Sequence, residues 1–175
     1  VTAPDTITLT AADGGIEELT GGEADADSDL VAATLDLDAT VGIGDDATIE
    51  VTATSIAADS TNNNIDLLNQ NPGAAVTATS LTTGTGTIDF VQTGNESLTV
   101  TLTQTTDGTI TIQNTGDADA DTLILTSVTA GGTGDVNATT LTAGDVLVGS
   151  ITADDSTVAI TSAGAINDAA ADTII

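Results

Sequence analysis

A single aromatic side chain, Phe90, serves a chain of 175 residues. A β-sandwich or globular α/β domain of this size draws much of its core volume from Phe, Tyr and Trp. Here that volume has to come from Val, Ile, Leu and Ala. The supply is ample, since 39% of the residues are hydrophobic and the mean hydropathy is +0.22. A disordered acidic segment would pair high charge with low hydrophobicity, and this chain is not poor in apolar residues. It is therefore read as folded around a thin core of stacked aliphatic side chains, with a few residues supplied by each turn of the backbone.

Short runs of Thr, Val, Ile and Leu with period two, separated by Gly, Asp and Asn, predict strands along the chain. The clearest cover 6–10, 47–52, 75–79, 87–91, 97–103, 108–113, 122–126, 145–148 and 157–161. Turn residues lie between them at Asp107-Gly108, Asn62 to Asn64, Asn71-Pro72-Gly73 and Gly131-Gly132. The Ala-rich stretch 167–172 lacks amphipathic spacing and strong helix formers, so no helix is expected there. Residues 157–168 parallel residues 6–17: each is a strand, a small-residue turn, and an isolated Ile followed by an acid or amide. Residues 80–84 (SLTTG) are echoed by 140–144 (TLTAG). Such recurrence predicts roughly seven to nine stacked coils of about 20–25 residues, a rod about 35–45 Å long. The expected fold is all-β, a parallel β-helix in which residues 1–175 form a single β-solenoid segment. The competing architecture is two tandem immunoglobulin-like β-sandwiches of about 88 residues each. Those normally carry a core Trp or Tyr, and this chain has neither.

The units TVAITSAGAINDA, DGTITIQNTGD and GDVLVGSITADDSTVAITSAGAI resemble repeats of filamentous-haemagglutinin-like proteins, very large bacterial exoproteins and adhesins. The resemblance covers most of the chain and fits residues 11–45 least well. It implies a right-handed parallel β-helix, secretion, and a role at the cell surface or in a filament. It carries no catalytic residue across.

Charge narrows the function classes. There is no Lys, Arg or His against 27 Asp and Glu, giving a formal charge of −27. Phosphate contacts need basic side chains, so nucleic acid is not an expected partner. No apolar run approaches the length of a spanning helix, and no membrane insertion is expected. The self-repulsion calls for screening by salt or by bound cations such as Ca²⁺. There is no Cys to form disulfides. The start, Val1-Thr2-Ala3-Pro4, has no initiator Met and no signal pattern, and the chain ends on Ile174-Ile175. The start is expected of a mature product or of an internal piece of a longer chain, and the apolar end favours a piece of a longer repetitive chain or filament.

Catalysis is constrained by elimination. Without His, Cys, Lys, Arg or Tyr, the acid–base groups are carboxylates and chain termini. Ser-His-Asp and Cys-His devices are impossible, and Schiff-base chemistry has no Lys. A paired-carboxylate glycosidase would lack aromatic sugar platforms. The Asp-Thr-Gly and Asp-Ser-Gly tripeptides of aspartic proteases do not occur. The chain is expected not to be an enzyme.

Two acidic clusters have ligand-like spacing: Glu23, Asp25, Asp27 and Asp29, then Asp117, Asp119 and Asp121. Alternating carboxylates in a loop can converge hard oxygens on Ca²⁺, whereas in an extended strand they share one solvated face. Asp36 stands where an EF-hand loop starting at Asp25 would place its last ligand, but Leu30 occupies the position that demands Gly. Thr pairs recur at Thr8/Thr10, Thr52/Thr54, Thr77/Thr79, Thr99/Thr101/Thr103 and Thr109/Thr111. Stacked on a flat face they would suit an ice lattice; Thr is also simply a favoured strand residue. Asn95 and Asn137 open N-glycosylation triplets, and Phe90 reads as a core filler.

The functional expectation is a structural or adhesive extracellular protein: a stiff acidic rod or head-to-tail filament at the cell surface. Its expected partners are other copies of itself end to end, and surface glycans. The alternative is a binding module, either an ice-binding Thr array or a calcium-bridged glycan binder.

Overall fold

The structure is a computed structural model that describes residues 1–18, 27–70, 72–116 and 121–169. Among these residues the protein is all-β, without helix, and every strand pairing is parallel. Sheet A stacks β2 (Leu30–Val31), β4 (Ile49–Thr52), β6 (Ile65–Gln70), β8 (Ile88–Thr93), β11 (Ile110–Asn114), β13 (Val136–Thr140) and β15 (Val158–Thr161). Sheet B runs from β1 (Thr6–Ala11) through β3 (Thr34–Ala39), β5 (Ser55–Ser60) and β7 (Val76–Thr83). It continues through β9 (Leu98–Val100) and β10 (Thr103–Thr105) to β12 (Leu123–Ala130), β14 (Val146–Ala153) and β16 (Ile166–Asp168). The chain alternates between the two sheets, so each circuit lays one coil on the last. This is a β-solenoid of about six turns.

Period-two alternation becomes columns. In sheet A, Ile16, Ile43, Ile65, Ile88, Ile110, Val136 and Val158 lie in register. Beside them run Ile49, Leu67, Phe90, Ile112, Ala138 and Ile160. Phe90 is fully buried, as expected of a core filler. In sheet B the columns are Ile7, Leu35, Ile56, Ala78, Val100, Leu125 and Val148, and Leu9, Leu37, Ala58, Leu81, Thr103, Val128 and Ile151. Each coil thus fills the core with aliphatics from two facing sheets and needs no aromatic layer.

Two irregularities shape the rod. In β5 the inward residues Ile56 and Ala58 are two apart, but their partners Ala78 and Leu81 in β7 are three apart. Thr79 is the extra, exposed residue, and its Oγ1 donates to the Ile56 carbonyl at 3.0 Å. The wider spacing persists in β12 (Leu125, Val128) and β14 (Val148, Ile151), so the single register shift between β5 and β7 resets sheet B for the coils that follow. The third inward column of sheet A changes chemistry instead. It starts with Leu30 and Val51 and continues as Asn69, Gln92, Asn114 and Thr140, all buried. Asn69 exchanges two 3.0 Å hydrogen bonds with the backbone of Ala53, and Gln92 Nε2 donates to Asn114 Oδ1 at 3.4 Å. Buried amides stacked along the axis are tolerated because each pairs with its own corner or with the next coil.

The turns from sheet B back to sheet A also stack. Asn63 adopts a left-handed φ of 65°, and Gly86, Gly108 and Gly134 follow it one coil at a time. A methyl group on Gly86 would lie 1.8 Å from the Asn63 carbonyl oxygen; on Gly108 or Gly134 it would lie 2.0 Å from the preceding glycine's. These glycines are required by close backbone approach. The Asn62–Asn64 turn is as expected, and its amides do reach neighbouring coils: Asn63 Nδ2 donates to Asp45 Oδ2, and Asn64 Oδ1 accepts from Thr87 N.

Three expectations are corrected. The turns number about six rather than seven to nine; coil length itself is close to expectation, with Ile43 and Ile65 22 residues apart and Ile16 and Ile43 27 apart. At roughly 4.8 Å per coil the rod is about 30 Å long. The second coil is lengthened because residues 45–48 loop out between Gly44 and Ile49. The loop adjoins the region where the repeat pattern fits least. The matched units 6–17 and 157–168 are not equivalent turns of the helix. The first begins in sheet B and the second in sheet A, so the recurring unit is half a coil. The same holds for 80–84 and 140–144. The tandem-sandwich alternative is overturned, since all the pairings are parallel.

Candidate functional site

Three settings hold the carboxylates. The first is at the N-terminal end of sheet A. Register Leu30–Val51 puts Asp29 beside Glu50, and Ile16, paired with Ile43, delivers Glu18 to the same place. One oxygen from each of Glu18, Asp29 and Glu50 lies within 4.8 Å of the others. Glu50 N donates to Asp29 Oδ2 at 3.3 Å. Burial pushes the Glu50 carboxyl above its ordinary range. A backbone hydrogen bond opposes this, and the negative charges of Glu18 and Asp29 add to it. A cleft of about 260 Å³ adjoins the triad, lined by Val1, Leu9, Ile16, Leu30 and Ile49 on its apolar side. Three hard oxygens so placed can share a cation.

The second setting is the outer face of sheet A, where Asp66 and Asp89 are direct cross-strand partners. Thr48 Oγ1 donates to Asp66 Oδ2 at 2.9 Å, while Asp89 Oδ1 is buried with no partner. Burial raises both carboxyls, and the charge of Asp66 raises Asp89 further. On sheet B, Asp38 and Asp59 face each other in the same way.

The third setting is the turns, where acids act as acceptors for the following coil. Asp107 Oδ1 accepts from Thr133 N at 3.1 Å, and Asp145 Oδ1 from Ala165 N at 2.7 Å. Asp135 Oδ1 accepts from Ser156 Oγ and from Thr157 N, and these two bonds hold its carboxyl below the ordinary range. The corner leading from β8 to β9 differs again. Gln92 Nε2 and Asn114 Nδ2 both donate to the Glu96 carbonyl, at 2.9 and 3.2 Å. Pairing of Leu98 with Leu123 brings Asp121 to this corner one coil on, where it is only 7% exposed. Gln92 Oε1 and Glu96 Oε2 are buried there without a hydrogen-bond partner.

Of the acids singled out in the sequence, Glu23, Asp25, Asp117 and Asp119 lie outside the described residues. Asp27 is exposed, Asp29 joins the N-terminal triad, and Asp121 lies just before β12, several coils away. Glu18 and Glu50 were not among the expected ligands, because only register shows that they meet Asp29. Leu30 is a core residue and Asp36 lies in β3, which rules out an EF-hand loop from Asp25. The Thr pairs do not assemble into one array. Thr8 and Thr10 stack on Asp36 and Asp38, Thr111 lies between Asp89 and Asn137, and Thr103 points into the core.

No family model, no curated protein and no solved structure matches this chain.

Proposed function

We propose that the chain is a structural module: a stiff acidic rod that adds length to an extracellular, cell-surface filament or adhesin by stacking end to end. The carrying observation is how the core columns finish. Val158 and Ile166 are 43% and 52% exposed, although Val136 and Val146, their partners one coil inward, are fully buried. At the other end Leu9 and Ile16 are half-buried, while their partners Leu37 and Ile43 are fully buried. Among the described residues, β1, β15 and β16 each pair on one side only. Unpaired strand edges above an open apolar column are a template for another coil, whether of a further stretch of the same chain or of a second copy.

A head-to-tail contact of this kind is heterologous, and its default product is a filament. Side-by-side association is opposed by the charge of −27 on each copy. The resemblance of the repeat units to filamentous-haemagglutinin-like proteins supports the surface and adhesive part of the reading, as does a composition without His, Cys, Lys, Arg or Tyr. Sedimentation and negative-stain imaging across rising concentration, at high salt, test it. Particles that lengthen without widening are expected. A species that stays monomeric at every concentration would overturn it.

A further inference from the structure

We propose that the corner joining β8 to β9 binds a hard divalent cation of the Ca²⁺ class, through Gln92 Oε1 and the Glu96 carboxylate, with the charge of Asp121 beside them. Gln92 is 0% exposed, and its nitrogen is already committed to the Glu96 carbonyl and Asn114 Oδ1. Its remaining atom, Oε1, is a buried acceptor with no donor, and Glu96 Oε2 in the same corner is another. Native interiors rarely leave such oxygens unmatched. Asp121, in the segment leading into β12 one coil on, has a partner of its own and is only 7% exposed, so it adds negative charge beside the corner.

A buried water could satisfy an acceptor but could not offset the charge. A cation does both. Ca²⁺ takes about 6–8 hard oxygens, mixing carboxylates with amide and backbone carbonyls and water, and these residue types supply that mixture. A thiol- or imidazole-seeking metal finds no ligand, because the chain has neither Cys nor His. The N-terminal triad of Glu18, Asp29 and Glu50 is a different case. Its acids are half-buried, and no buried oxygen there lacks a partner. Binding at the corner would tie β8 and β9 of one coil to the segment leading into β12 of the next.

Calorimetric titration of the full chain with CaCl₂, at constant ionic strength, tests this. A saturable site that depends on Glu96 and not on Glu50 is expected. Glu96→Gln, which keeps shape and removes charge, should weaken it at least about tenfold. Gln92→Leu should do the same, and Gln92→Glu, which keeps an oxygen and adds charge, should bind at least as tightly as the parent. Glu50→Gln, at the triad, should leave the site unchanged. Far-UV circular dichroism checks that each variant is folded; should Gln92→Leu fail to fold, Glu96→Gln decides. The proposal is overturned by the absence of saturable binding, which would indicate a diffuse ion atmosphere. It is equally overturned by a site that survives Glu96→Gln or disappears with Glu50→Gln.

Discussion

The earlier and later coils share one frame and differ in where most of their acids sit, although the early-turn Asp45 already accepts from Asn63 of the next coil. In the early coils carboxylates face one another across strands: Asp29 near Glu50, Asp38 opposite Asp59, and Asp66 opposite Asp89. In the later coils Asp107, Asp135 and Asp145 sit in turns and accept hydrogen bonds from the next coil. Like charges directly opposite each other on neighbouring strands destabilise, whereas a carboxylate that accepts backbone N–H bonds stabilises the coil it caps. A chain without basic side chains can therefore use acids as structural parts, provided they occupy turns. The interior divides in a similar way: the third column of sheet A is apolar at Leu30 and Val51 and polar from Asn69 onward.

The largest expected effect contrasts two glycines. Gly108→Ala in the later turns should cost about 3 kcal/mol, because the added carbon meets the Gly86 backbone, which cannot rotate away. Gly14→Ala in the first coil meets nothing within 4 Å and should change stability by less than about 0.5 kcal/mol. Urea denaturation of both variants checks the pair, and equal effects would break the contrast. Next in size is Asn69→Ala, which leaves Ala53 N and O without their partner inside the corner. A loss of about 2 kcal/mol is expected in the same assay.

The smallest effect concerns the facing acids and has the opposite sign. Asp66→Asn or Asp89→Asn removes a like-charge pair and should stabilise the protein at neutral pH by about 0.2–1 kcal/mol. The pH dependence follows from the same residues. Asp66 and Asp89 have raised carboxyls, so the folded state binds more protons than the unfolded chain at mildly acidic pH. Without divalent cations, stability should rise as pH falls from neutral through these raised values. The gain should level off near pH 4, where unfolded carboxyls also protonate. Asp135 acts in the other direction. Its contribution is present above the unfolded value and is lost as pH falls below about 4, through its lowered folded value. Unfolding midpoints across this range should show a rise and then a fall. Asp66→Asn should flatten the rise, and Asp135→Asn should reduce the fall.

These contrasts mark how far the sequence is legible. Alternating Thr and aliphatic runs disclose strands such as β1, β8 and β15, because period two is a local property. The strands β2, β3, β5, β6, β13 and β16 escape; runs such as Thr34–Ala39 place Asp, Ala or Asn at the outward positions where Thr marks others, and β2 is only two residues long. The stacked-coil fold follows from composition, because no aromatic mass is available for a thicker core. Coil number does not follow, because half-coil units look alike and the insertion before Ile49 lengthens one turn. The candidate sites are the least legible. Glu18, Asp29 and Glu50 meet only through register, and Gln92, an uncharged residue inside a strand, carries no motif at all.

Parallel, in-register stacking of successive coils is the claim on which all of this depends, and the absence of native Cys allows a direct test. Thr111 and Asn137 are outward-facing partners in adjacent coils, while Ala159 lies one coil further along the same row. Neighbouring parallel strands lie about 4.8 Å apart, within the Cα separation a disulfide accepts; strands two coils apart do not. Under mild oxidation, Thr111→Cys with Asn137→Cys should form an intramolecular disulfide rapidly and nearly completely. Thr111→Cys with Ala159→Cys should remain reduced. Failure of the first pair to close, or closure of the second at a similar rate, would contradict the account.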